Sequence, residues 1–504
     1  MPSAGLSRPE ALGGSTSLAQ PLMLDRGVHE RPSPDKMAAQ ATDSKGSSGI
    51  MSLVITFLCY SAGATVIVPY VIVEAGWFGV ALLIGIHAAA IWTVYLLSRA
   101  FALRPEATTI VGLVDEVFRG RPMIERVLKL YCAGAVGFEL MVWLVMFIKQ
   151  IEICTERLSD GSLSLFKSAN RTFVVIMLLM VPTLLVRSNR MLGRFSTASI
   201  ACVVGALLVL VCQVATDADQ DYVGLSMGAS FWGSRTGLAV GIVLVTACYH
   251  TMVPLVASRM EPGERHRLPA LMVWSGIALL ALFLCSAVTF FCIFGSETRP
   301  QIIMNLQEPF LTGGTLLYTI SLFAKFSTVL APLVELLQAV FQDLGRIAKI
   351  PAEAFLCRLK CNRRAQFRDD ESQPQEVTPL LARDLEAPAV HYDTVASVAN
   401  NGDAHIGPPL APFPKWDLLS RGGLSVTVFL IAKAAPDFVH MLAVAGGLVA
   451  ANIVVLIPMV LAGPLLWRDL SAMAKVLSIL SSLSVLGLCV YSFVATLRVG
   501  GEEA

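Results

Sequence analysis

Long apolar runs decide what this chain can become. About eleven stretches are apolar over roughly the length a helix needs to cross a hydrocarbon core. They are 50–73, 77–98, 125–151, 172–187, 194–215, 236–257, 268–294, 314–342, 416–433, 438–466 and 472–497. Of the 504 residues, 55% are hydrophobic and 15% charged, which excludes an ordinary soluble domain. A bilayer core offers the backbone no water, so these segments must satisfy themselves as helices. The expected fold class is an all-α polytopic membrane protein.

Charge then orients the spans. Arg99, Arg104, Arg119 and Arg121 follow the second span, Arg187, Arg190 and Arg194 the fourth, and Arg259, Arg265 and Arg267 the sixth. Arg346, Lys349, Arg358, Lys360, Arg363 and Arg364 follow the eighth, and Arg468 and Lys475 the tenth. Asp217, Asp219 and Asp221 mark the opposite side; Lys149, Arg157, Lys167 and Arg171 are an exception partly balanced by Glu152, Glu156 and Asp160. Basic connections face the cytosol, so the N-terminus is expected inside and the C-terminus outside.

The same reading divides the chain. Residues 1–48, rich in Ser, Pro and Gly without an early apolar core, are expected to be a disordered cytosolic tail and not a signal peptide. Residues 49–342 hold spans 1–8, 343–414 a disordered cytosolic loop, 415–498 spans 9–11, and 499–504 a short outer tail. Residues 104–119 form a candidate amphipathic segment along the inner membrane face. A net charge of +1 gives no pull toward nucleic acid, and the eleven cysteines, mostly within apolar runs, act as small hydrophobes. Cys357 and Cys361 in the loop are either idle thiols or a lipidated pair; no neighbouring His supports a metal site.

Two spans carry residues that weaken them at mid-depth. In the first, Ala62, Gly63, Ala64 and Thr65 precede Pro69; in the sixth, Thr246, Tyr249, His250 and Thr251 precede Pro254. Proline removes a donor from the helical ladder, and small residues free the chain to unwind. Irregular backbone survives in a membrane only where it lines a cavity or packs in protein. Freed amides at the start of the following half-helix suit an anion such as a carboxylate. One such site alone fits a kinked helix packed through small residues equally well. Two, five helices apart, point to an inverted-repeat transporter with its site where the breaks meet.

The stretch around Pro69-Tyr70 and Glu74-Ala75-Gly76-Trp77-Phe78-Gly79 resembles the amino acid/auxin permease family. Tyr249-His250 through Met260-Glu261, Phe294-Gly295, Asn305-Leu306, Pro436-Asp437-Phe438, Gly446-Gly447 and Pro458 extend the likeness over 50–342 and 415–498. The family usually shows G-x-G before the Pro-Tyr; here Ala62 and Ala64 stand there with Gly63 between them. Phe138-Glu139-Leu140 and Leu322-Phe323-Ala324-Lys325, followed by Pro332 and Glu335, are most similar to the subgroup of the vesicular inhibitory amino acid transporter and the vacuolar amino acid carriers.

The resemblance implies a LeuT-like fold, two inverted five-helix repeats plus one extra helix, and amino acid transport coupled to protons. It implies that substrate is held largely on main-chain groups of Ala62, Gly63, Ala64, Thr65, Tyr249, His250 and Thr251. In sodium-coupled relatives hydroxyls of the eighth span help hold sodium beside the first break, the place that Lys325, Ser327 and Thr328 would take here. Lys325 would then stand in for the ion, and alternatively pairs with Glu139 or Glu335 for structure alone. Glu139, Glu335 and His250 are candidates for the coupled proton, His250 because its ordinary pKa lies near about 6.5; the bland alternatives are a neutral histidine bonded between helices and a Glu335 that snorkels to the cytosolic face. His87 and Asp437 are weaker candidates.

Glu376, Leu380 and Leu381 fit an acidic dileucine sorting signal in the cytosolic loop, which would bring a clathrin adaptor and an endosomal, lysosomal or vacuolar membrane. The expected protein is a secondary carrier of neutral amino acids, either an exporter into an acidic organelle or an importer at the plasma membrane, that needs no cofactor beyond the proton gradient and no metal. The alternative is an amino acid sensor that signals through its tail and loop. No filter-like repeat suggests a channel, and no nucleophile–base pair or phosphate loop suggests an enzyme.

Overall fold

Apolar sequence with its backbone paired internally gives helices, and among the described residues every regular element is helical. The computed structural model describes residues 63–161, 189–216, 230–260, 262–326, 328–330, 333–334, 336–337, 415–434 and 438–502, all within the unit Gly49–Ala504. A buried 3-10 turn, Gly63–Val66, precedes α1 (Val68–Ala75) and α2 (Phe78–Leu103). Then come α3 (Ile110–Phe118), α4 (Pro122–Gly161), α5 (Asn189–Thr216), α6 (Thr236–Thr246), α7 (Met252–Arg259) and α8 (Leu268–Phe294). Beyond 3-10 turns at Gly295–Glu297 and Ile302–Asn305 lies α9 (Phe310–Leu330). The rest is α10 (Lys415–Ala434), α11 (Phe438–Ala450), a π-helical stretch Ala451–Leu456, α12 (Ile457–Leu466) and α13 (Ala472–Glu502).

The seventh expected span and α8 coincide, whereas α4 outruns its apolar part at both ends. Hydropathy ends that span where charge begins, but the charges suit a helix. Lys149 pairs with Glu152 one turn on at 3.5 Å, and Lys433 of α10 binds the same carboxylate. The tenth span is interrupted as well. Pro458 has no N–H to give its own helix and its ring crowds the preceding turn, so the chain widens. Ile457 N–H accordingly donates to Asn452 O, five residues back. The amphipathic segment folds as α3, capped where Gly112 N–H donates to Thr109 Oγ1 at 2.9 Å, with Ile110, Leu113 and Val114 buried against α4 and α12. α13 continues through Glu502, past the boundary expected at 498. The tail 1–48, the fourth span 172–187, the loop 343–414 and Cys357 and Cys361 lie outside the described residues.

Packing centres on α1, α2, α6 and α8. α2 lies along α8, α1 rests on both α6 and α8, and α11 packs against α6 and α13. The turn from α1 to α2 is tied to the entry of α6: Trp77 N–H donates to Ser230 O at 3.3 Å, Phe78 N–H to Phe231 O at 2.9 Å and Arg235 N–H to Glu74 O at 3.2 Å. Gly76 sits there at φ 66°, and a Cβ would overlap the Ser230 carbonyl oxygen. Only glycine meets both demands. Elsewhere large side chains face outward: Leu208 on α5, Trp274 on α8, and Leu480, Leu483 and Val490 on α13. Seven helical stretches among the described residues are long and apolar enough to cross a bilayer. An apolar surface of this kind belongs in lipid, and the protein is an integral membrane protein.

The tightest helix contact joins α6 to α11. A Cβ on Gly446 would overlap the Gly241 carbonyl oxygen, and one on Gly241 would meet the Ala443 backbone at 2.5 Å. Backbones at this distance cannot yield as a flexible side chain would. Gly446→Ala should cost about 1–3 kcal/mol, read as a lowered melting temperature in detergent. Gly422→Ala, where a Cβ meets open space, serves as the neutral control.

Candidate functional site

The sixth span is broken in the structure, and the first, described from Gly63 on, opens with a 3-10 turn before its helix. In the first, the 3-10 turn holds Gly63, Ala64 and Thr65, all buried, and α1 starts just beyond it. In the sixth, α6 ends at Thr246, residues 247–251 leave the helix, and α7 begins at Met252. The prolines are not where the helices fail. Pro69 is the second residue of α1 and Pro254 the third of α7, in first turns whose N–H groups have no intrahelical partner. Each therefore starts a half-helix after a break that the preceding residues make.

Neither start has a side-chain cap: none bonds from Ile67 before α1 or from Thr251 before α7. Thr251 gives its hydroxyl away instead, donating to Glu139 Oε1 of α4 at 3.2 Å in a fully buried contact. Uncapped first-turn amides carry partial positive charge and suit an anion. The C-terminal end of α6 offers the opposite charge on the other side of its break.

Neighbouring helices take up part of the freed backbone. Ser286 of α8 donates to Thr65 O at 2.7 Å. Lys325 of α9 is wholly buried, and its ammonium lies against the first break: a Cβ on Gly63 would sit 3.0 Å from Nζ and 3.7 Å from Cδ. Position 63 thus leaves the room that the lysine head occupies. Thr328 turns its hydroxyl back to Lys325 O at 2.7 Å, within α9. At the second break, Thr93 of α2 meets His250 Nε2 at 2.8 Å. Tyr249 lies between two histidines, its ring centroid 5.7 Å from His250 and 6.4 Å from His87.

Of the residues singled out from sequence, the structure joins Lys325 to Gly63 and Glu139 to Thr251, and sets Tyr249 and His250 beside α2. Ala62, Ser327, Glu335, Asp437, Glu376, Leu380 and Leu381 lie outside the described residues. Sequence reading missed Thr93 and Ser286, single hydroxyls in apolar helices. It also missed Tyr131 of α4, whose hydroxyl donates to Asn452 Oδ1 in the π stretch at 2.6 Å, while Asn452 Nδ2 donates to Leu448 O at 2.7 Å. The legible signal there was an amide six residues before a mid-span proline.

Residues 46–498 match the family described as transmembrane amino acid transporter protein. Amino acid transporter AVT1D of Arabidopsis thaliana is 21% identical over 285 residues, 53% of this chain and 48% of that protein, so the chain spans about half the length of this curated relative. Among solved structures, MhsT in complex with L-phenylalanine aligns over 88% of this chain and 98% of its own at 14% identity, with a TM-score of 0.49. A Na+-coupled sialic acid symporter aligns over 90% and 96% at 11% identity, with a TM-score of 0.34.

The Ser286 bond should hold the first break shut. Ser286→Ala leaves the Thr65 carbonyl without this partner, a loss of about 1 kcal/mol. Hydrogen exchange in peptides spanning 63–68 should then quicken by roughly fivefold, with the centre of α2 unchanged as the internal reference.

Proposed function

The chain belongs to the transmembrane amino acid transporter family, and from that premise we propose that it is a proton-coupled secondary carrier of neutral amino acids, working by alternating access around its two broken spans. Family membership sets it among membrane transporters and not enzymes. The observation that carries the reading is the pair of buried breaks, each followed by a half-helix whose start has no side-chain cap. An amino acid presents a carboxylate and an ammonium a few ångströms apart. The amides opening α1 and α7 suit the first, and carbonyls of the 3-10 turn and of the end of α6 suit the second. Uncharged substrates follow from the apolar surroundings, since an extra charge would be costly to bury.

Lys325 supplies the cation at the first break. Its ammonium packed on Gly63 favours a lysine in the place a bound metal cation would otherwise take, so transport runs without sodium. Glu139, tied to the second break through Thr251, is the carboxylate best placed to pass the coupled proton on as the break rearranges. The acidic dileucine at Glu376, Leu380 and Leu381 favours delivery by a clathrin adaptor to a lysosomal or vacuolar membrane.

Proteoliposomes offered a panel of amino acids under an imposed pH gradient, with and without sodium, test this reading. Flux should follow the gradient and ignore sodium, and Lys325→Met should abolish gradient-driven accumulation. Flux that requires sodium contradicts the role given to Lys325. Saturable binding without flux contradicts transport and favours an amino acid sensor.

A further inference from the structure

Two histidines far apart in sequence are both brought beside one tyrosine. His87 lies in α2 and His250 in the break between α6 and α7, and both are buried, as is Tyr249 between them. The rings are close to parallel, at 27° for His87 on Tyr249 and 17° for Tyr249 on His250. Phe283 of α8 closes the His87 side edge-on at 5.3 Å.

Hydrogen bonding assigns the proton on each ring. His87 Nδ1 lies 3.0 Å from Leu83 O, which can only accept, so Nδ1 carries the proton and Nε2 keeps a lone pair. The Thr93 hydroxyl lies 3.1 Å from both Ala89 O and Ala90 O and donates to them, so it accepts from His250 Nε2–H. His250 Nδ1 then keeps the lone pair. Both lone-pair nitrogens, His87 Nε2 and His250 Nδ1, are buried without a hydrogen-bond partner. An unpaired buried acceptor is costly, and a structure retains one where something else is to bind. Two buried basic nitrogens without a hydrogen-bond partner therefore lie on rings beside one tyrosine.

Two neighbours offer a cation partial compensation for burial. Thr246, whose main chain faces the His87 ring, ends α6, and the carbonyls at that helix end carry partial negative charge. A protonated Nε2 would gain those carbonyls as acceptors and the Tyr249 ring as a cation–π partner. The other ionisable groups on the packed elements are few. Cys248 lies in the break, Glu139 is reached through Thr251, Glu74 lies near the end of α1 and Arg265 in the 3-10 turn Pro262–Arg267 before α8. α6, α8 and α12 themselves contain no Asp, Glu, Lys or Arg.

We propose that His87 and His250, stacked about Tyr249, form a site for a single proton that is loaded and released in each transport cycle. The proton adds to the lone pair of one imidazole and leaves from it again, with no other bond made or broken. Two imidazolium ions around one ring would repel each other in an apolar pocket, so the pair holds one proton and not two. His87 on α2 senses the break through Tyr249, and movement of the break changes which face of the pocket is open. The site rests on the transport reading above and adds to it a residue from the second span.

The test separates proton-driven accumulation from exchange. Reconstituted wild type and the variants His87→Gln and His250→Gln are assayed for uptake under a pH gradient and for exchange of a preloaded amino acid at equal pH, which needs no net proton movement. Each variant should lose accumulation by about tenfold or more, and His87→Gln, outside the substrate-holding breaks, should retain exchange. The double variant should lose no more than either single one, because both rings serve one proton. Unchanged accumulation in either variant overturns the proposal, as do losses that multiply in the double variant. If His250→Gln does not fold, Thr93→Val keeps both rings and removes only the hydroxyl that accepts from His250. Its accumulation profile should move toward acid pH with exchange intact, and an unmoved profile overturns the proposal. A wild type that neither exchanges nor accumulates any amino acid overturns the transport reading, and this inference with it.

Discussion

A polypeptide in a bilayer must find a partner for each backbone amide and carbonyl within itself, and the rest of this structure answers to that demand. Unbroken helices meet it automatically. Where two spans open at mid-depth, the freed groups depend on neighbours, and each neighbour found here is a specific side chain. Ser286 serves the Thr65 carbonyl, and Thr251 bonds Glu139 of α4. The starts of α1 and α7 have no side-chain cap, and their first amides lean on carbonyls of the breaks themselves, as Met252 N–H does on Tyr249 O and Val253 N–H on His250 O, bonds that a zwitterion can compete for.

The demand also separates rigid contacts from adjustable ones. Backbone meets backbone between α6 and α11 through Gly241 and Gly446, and between the α1–α2 turn and the entry to α6 through Gly76 and Ser230. Contacts of this kind have little room to shift. At the breaks the contacts are polar and run side chain to side chain: Thr251 to Glu139 and His250 to Thr93. Such bonds can be exchanged for water or substrate at small net cost. The π stretch of the tenth span, bonded to α4 through Tyr131 and Asn452, is a third irregular place of the polar kind.

Much of the fold was legible because hydropathy reports directly on helices in lipid. The run 268–294 became α8 residue for residue, and the two polar, proline-bearing interruptions became the breaks. The ends of α4 were not legible, since charges that close an apolar run can still pair along a helix, as Lys149 and Glu152 do. The prolines were read as the cause of the breaks and instead begin the half-helices, because sequence shows that a donor is missing but not at which turn. At the site, Lys325, Glu139 and His250 stand out as costly polar groups in apolar sequence. Thr93 and Ser286 do not, because a lone hydroxyl in a membrane helix commonly bonds back to its own helix, and only the packing of α2 and α8 shows which neighbour it serves.

The claim on which all this turns is that both breaks hold one substrate together. Hydrogen–deuterium exchange of the purified protein, with and without a saturating mixture of neutral amino acids, addresses it most directly. The account predicts simultaneous slowing in peptides covering 63–68 and 247–253, with the α6–α11 contact unchanged. Slowing at one break alone, or at neither, would contradict it.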